Sequence, residues 1–96
     1  MLSRLCDRLR AMSETALTRG REELEGESVA AAVHRVCVWA AEQQGIAAPV
    51  PVLRPLASAD QLTVIGREFL DWAGAASASE ALPAWRAEVD RIRRVA

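Results

Sequence analysis

The sequence has no lysine and no tyrosine, and its 96 residues include one phenylalanine, one histidine and two cysteines. Each shortage narrows the reading. With His34, Cys6 and Cys37 as the only nitrogen and sulfur ligands, a closed four-ligand zinc site would need carboxylates or a second subunit. Scarce aromatic residues and abundant alanine favour closely packed helices over a sheet. The five glycines are scattered, so no phosphate-cradling loop is formed. No apolar run approaches the roughly 18 residues that would span a bilayer. The start, MLSRLCDRLR, is broken by charges and does not read as a secretory leader, and Asp7 and Glu14 argue against an organelle transit peptide. A net charge of −1 gives no overall field for nucleic acid or anionic lipid. All twelve basic residues are arginine, which we read as a genomic bias rather than a functional one. Two cysteines without an export signal point to a reducing, cytoplasmic setting and free thiols.

What is present is helical periodicity. The clearest stretch is Ser58–Ala76. Ser58 and Gln61 have capping-box spacing, Asp60 adds negative charge to the first turn, and Leu62, Ile65, Phe69, Trp72 and Ala76 form one face. Gly66 and Ala73 lie beside that stripe and would admit a close neighbour. Glu68 and Gln61 are also near it, so one of them is expected to be partly buried with an arginine partner.

Four helices follow from the pattern, in one domain covering 1–96: about 3–24, 29–44, 59–75 and 80–95. The first carries Leu2, Leu5, Leu9, Met12 and Ala16 at heptad spacing. Gly20 ends or loosens it. The acidic stretch that follows, with Glu22, Glu23, Glu25 and Glu27, lacks the spacing of a calcium loop and reads as solvated and poorly ordered, because acid opposes the dipole at a helix C-terminus. The second helix has Ser28 as N-cap, Val29, Val33, Val36, Cys37 and Ala40 inward, and Gly45 as its C-terminal stop. The fourth has Pro83 in its first turn and Leu82, Trp85, Val89, Ile92 and Ala96 on one face, with Asp90 placed to pair with Arg86 and Arg94. Ser77 and Ser79 are cap candidates before it.

Between the second and third helices lies an extended segment, 46–57, with Pro49, Pro51 and Pro55. Proline excludes helix here, yet Val50, Val52, Leu53 and Leu56 make the segment too apolar for a flexible linker. It is expected to be an ordered strap. The fold class is therefore all-α: a small four-helix, near-antiparallel bundle-like domain with an ordered Pro-rich crossover between helices two and three.

Function is less constrained. Val38, Trp39 and Leu70 fall off the core stripes, and Val52 and Leu53 sit on the strap. Apolar residues outside a small core indicate a protein–protein interface, and a homodimer is the expected assembly. The expected function is a non-enzymatic interaction module without cofactor or metal. The alternative is a small-molecule or lipid pocket under the strap, using His34, Cys37 and Glu68. His34 and Cys37 share one side of a helix, but a cysteine on a core stripe usually packs as a small apolar residue. A third reading, a nucleic-acid-binding regulator, would use Arg54, Arg86, Arg91, Arg93 and Arg94. Glu88 and Asp90 interleave those arginines, which argues against it.

Trp72-Ala73-Gly74 resembles the Trp-x-Gly triplet of the small helical-hairpin proteins exported by type VII systems. In that family the triplet joins two long helices at mid-chain. Here it lies three-quarters along a four-helix pattern, and no membership is assigned.

Overall fold

The computed structural model describes residues 2–75 and 79–96. Its helices are α1 (Leu2–Ala11), α2 (Glu14–Thr18), α3 (Val29–Gln43), α4 (Ser58–Ala75) and α5 (Leu82–Val95), with short 3₁₀ turns at Glu22–Leu24, Pro55–Ala57 and Ser79–Ala81. Among the described residues there is no strand. The protein is an all-α, bundle-like domain, as the periodicity implied. Ala76 and Ser77 lie outside the described residues, as does the side chain of Ser79.

The first expected helix, 3–24, is corrected to three pieces. Ser13 breaks it. Its backbone is extended, and its hydroxyl accepts from the Ala16 N–H at 3.1 Å, so it caps α2 instead of continuing α1. The acidic loop is also better ordered than composition suggests. Leu24 is 2% exposed and anchors it. Gly20 pairs with Ser28 in an isolated antiparallel bridge, and the Arg21 N–H donates to the Glu27 carbonyl at 3.0 Å. A Cβ on Gly20 would lie 2.7 Å from the Gly26 carbonyl oxygen, so the closure needs a glycine there. Arg35 then ties the loop to α5, reaching Glu27 and Glu88 at 3.2 Å each, and Arg91 reaches Glu25 at 3.7 Å.

In α3, Ser28 accepts from the Ala31 N–H at 3.1 Å. All five expected inward residues are buried, joined by Ala32 and Ala41. The helix ends in a Schellman motif: Gly45 has φ +72°, its N–H donates to Glu42, and the Ile46 N–H donates to Ala41.

Helix α4 buries Ala59, Leu62, Gly66, Phe69 and Ala73, a stripe rotated toward the small residues. The reason is the Trp85 ring. It lies against Gly66, where a Cβ would come within 3.1 Å of both Trp85 Cη2 and Leu2 Cδ2. The small residue admits an aromatic ring, with Ile65 and Trp72 left half-buried. Phe69 is the centre of the core: Trp85, Trp39 and Trp72 stand 4.9, 5.3 and 5.9 Å from it, centroid to centroid.

The directions follow from the contacts. Arg10 reaches Asp60 and Thr63, while Leu2 meets Gly66, so α1 runs antiparallel to α4. Arg35 meets Glu88, while Val38 and Trp39 share a groove with Ala84, so α3 and α5 are antiparallel. Helices α3 and α4, however, are parallel. Ser28 and Ser58 flank one cavity, and eleven residues further along both helices Trp39 packs on Phe69. The expected near-antiparallel order is corrected at this step. Parallel neighbours need a return path, and the strap supplies it. The 15 residues of α3 span about 22 Å. Extended backbone at about 3.1 Å per residue covers that distance over 46–54.

Candidate functional site

The strap is held to the bundle at two consecutive carbonyls. His34 Nε2 lies 3.3 Å from the Val50 oxygen, and Gln61 Nε2 donates to the Pro51 oxygen at 2.8 Å. Ser58 Oγ donates to the Pro55 oxygen at 2.7 Å. Ser58 and Gln61 are both buried. The capping box expected from their spacing is replaced by two clamps on the strap, because Ser58 already has helical backbone and a 3₁₀ turn leads directly into α4. Of the pair Gln61 and Glu68, Gln61 is the buried one, and its partner is a carbonyl rather than an arginine. Glu68 is exposed.

Pinned at 50, 51 and 55, the strap turns Val50 toward the core and leaves its other apolar side chains outward. Val52 is 82% exposed, Leu56 62%, Leu53 45% and Ile46 44%. Val64 on α4 is exposed as well. Ile46, Leu56 and Val64 are additions to the residues the sequence singled out. Leu56 and Ile46 were legible as strap hydrophobics. Val64 sits opposite the core stripe and could have been found by the same test that picked Leu70.

The other expected interface residues sit differently. Val38 and Trp39 are half-buried and line a groove with Arg35, Val36, Glu42, Ala84 and Glu88. Leu70, expected to point away from the core, is half-buried and packs against it. The structure thus brings Val52 and Leu53 together and places Val38, Trp39 and Leu70 elsewhere.

Beside the strap is a cavity of about 380 Å³, bordered by Ala31, His34, Leu53, Arg54, Ser58 and Gln61 among others. Of the expected pocket residues only His34 reaches it. Cys37 is fully buried in the core, and burial first, then the nearby Cys6, pushes its thiol up to about 12. It packs in the core as a small apolar residue. Thr63 Oγ1 lies 3.2 Å from Cys6 Sγ, and both cysteines are free. Among the described residues no group of three His, Cys, Asp or Glu side chains could hold a metal ion. Nor is any helix among them long and apolar enough to cross a membrane.

The arginines of α5 are largely engaged. Asp90 binds Arg93 at 2.6 Å and Arg94 at 2.7 Å, in place of the expected Arg86, and Arg91 faces Glu25. The Arg93 hydrogen bond, then the charges of Arg94 and Arg93, hold the Asp90 carboxyl below its usual range. Compared with family models, curated proteins and solved structures, the chain finds no match in any of the three.

Proposed function

We propose that this chain is a non-enzymatic interaction module that pairs with a second copy of itself through the strap. One observation carries the reading. Of the five large apolar side chains most exposed among the described residues, four lie between Ile46 and Leu56, and the fifth is Val64 on α4. A flexible apolar loop would fold back on the core or collapse. This one is held outward by His34, Gln61 and Ser58, so its surface is ordered before any partner arrives, which lowers the cost of association. A predominantly apolar strip, with Arg54 as its one charged side chain, can meet a copy of itself about a two-fold axis, and a net charge of −1 offers little overall repulsion.

Sedimentation equilibrium over a wide concentration range tests this. A dimer that Val52→Asp converts to a folded monomer is the expected result. A strict monomer at every concentration rejects the reading. The cavity beside His34 supports a second reading, a small-molecule site under the strap. It predicts a ligand-dependent rise in melting temperature that His34→Ala abolishes.

A further inference from the structure

A second groove lies on the far side of the bundle, where α1, α4 and α5 meet. Its volume is about 520 Å³, and Leu2, Leu70, Leu82, Trp85 and Val89 supply its apolar lining. Trp85 and Val89 are buried and the three leucines half-buried, so the floor is recessed rather than proud. Arg67 on α4 and Arg86 on α5 stand exposed at its edge. Neither makes an ion pair or hydrogen bond with a side chain among the described residues, unlike Arg10, Arg35, Arg91, Arg93 and Arg94. Among the described residues no acidic side chain lines the groove.

We propose that this groove binds an aliphatic carboxylate of medium chain length, its tail over Trp85 and Leu82 and its head between Arg67 and Arg86. Shape and charge together select this class. The apolar floor is sunk between three helices, and the same lining carries two guanidiniums. A single flexible alkyl chain fits a recess of this volume. Two guanidiniums in one groove lining, neither with a side-chain partner among the described residues, match a carboxylate, which guanidinium binds in bidentate fashion. Gly74 lines the same groove, and a Cβ built there meets nothing within 4 Å. A larger residue at 74 would therefore fill the groove without disturbing the fold.

The test is titration of the intact chain with decanoate, decanol and acetate, followed by heteronuclear NMR at the Gly74 amide and the Trp85 indole N–H. Saturable shifts with decanoate, and at least about tenfold weaker binding of decanol and acetate, are expected. Gly74→Leu should abolish binding while keeping the melting temperature. The double change Arg67→Gln, Arg86→Gln should weaken decanoate about tenfold or more and leave decanol unchanged. No saturable decanoate binding, equal binding of decanol, or an unaffected double variant overturns the proposal. Val52→Asp should bind decanoate normally, so this proposal and the strap reading fail separately.

Discussion

Two connections in this protein invert what their compositions suggest. The segment 20–28 is acidic and carries two glycines, yet it is the better fixed: Leu24 enters the core, Gly20 and Ser28 bridge, and Arg35 and Arg91 reach across to its glutamates. The segment 46–57 is apolar, yet most of its apolar side chains face solvent. The difference lies in what each must do geometrically. The acidic loop closes a short turn between α2 and α3, so one leucine and local hydrogen bonds suffice to seat it. The strap must travel the length of α3 to start a parallel helix, and its proline-bearing extended backbone winds at about three residues per turn. Pinning Val50 inward therefore turns Val52, two residues on, away from the core. Composition alone cannot distinguish the two outcomes, because burial depends on where the backbone is held.

The largest expected effect separates the two leucines. Leu24→Ala should cost about 2–5 kcal/mol in urea denaturation, the range for deleting a fully buried leucine side chain. Leu53→Ala, measured at low protein concentration, should fall within about 0.5 kcal/mol of the parent, as exposed substitutions do. Equal costs would mean that the strap is part of the monomer's core, and the contrast drawn above would be lost.

A smaller effect sharpens the account of the strap. Gln61→Met keeps the volume and removes the donor to the Pro51 oxygen. Because Pro51 is exposed, water can satisfy its carbonyl, and the loss of stability should be about 1 kcal/mol. The strap itself should respond more. Chymotrypsin should cut after Leu53 faster than in the parent, and dimerisation should weaken because the surface is no longer preordered. Unchanged cleavage would assign the strap's order to Val50 and the prolines alone.

Much of this fold was legible in the sequence for identifiable reasons. The buried face of α3, its Ser28 cap and its Gly45 stop depend on residues whose local preferences agree with the tertiary structure. The break at Ser13 was hidden because the heptad series runs on through Met12 to Ala16, and a hydroxyl's choice of cap over helix leaves no periodic trace. The rotation of the α4 stripe was hidden because Gly66 scores as neither apolar nor polar, while its value lies in the space it gives Trp85. Leu70 was misplaced for the same reason: turning the stripe toward Gly66 and Ala73 brings Leu70 in and turns Val64 out. At the strap, proline placed the extended segment, but which carbonyls would be held by His34 and Gln61 depends on α3 and α4 being parallel. Nothing local encodes that.

The smallest effect tests the charged side of the comparison. The acidic loop is fastened to α5 through Arg91, and the adjacent Asp90 gathers Arg93 and Arg94. Its carboxyl is held low in the folded state by the Arg93 hydrogen bond above all. A depressed acid stabilises the fold above its unfolded pKa, about 3.9 for aspartate, and that contribution disappears as pH falls through the folded value. The parent should therefore exceed Asp90→Asn in stability at neutral pH, and the gap should close only in strong acid. Added salt should narrow it as well, since the side chain is 24% exposed and Arg94 is largely in water. The strap's Gln61 and Ser58 clamps are an amide and a hydroxyl, so dimer mass should show no acid transition that tracks Asp90. A dimer that dissociates in step with Asp90 would instead couple the two connections through α5, and they would have to be treated as one cooperative unit.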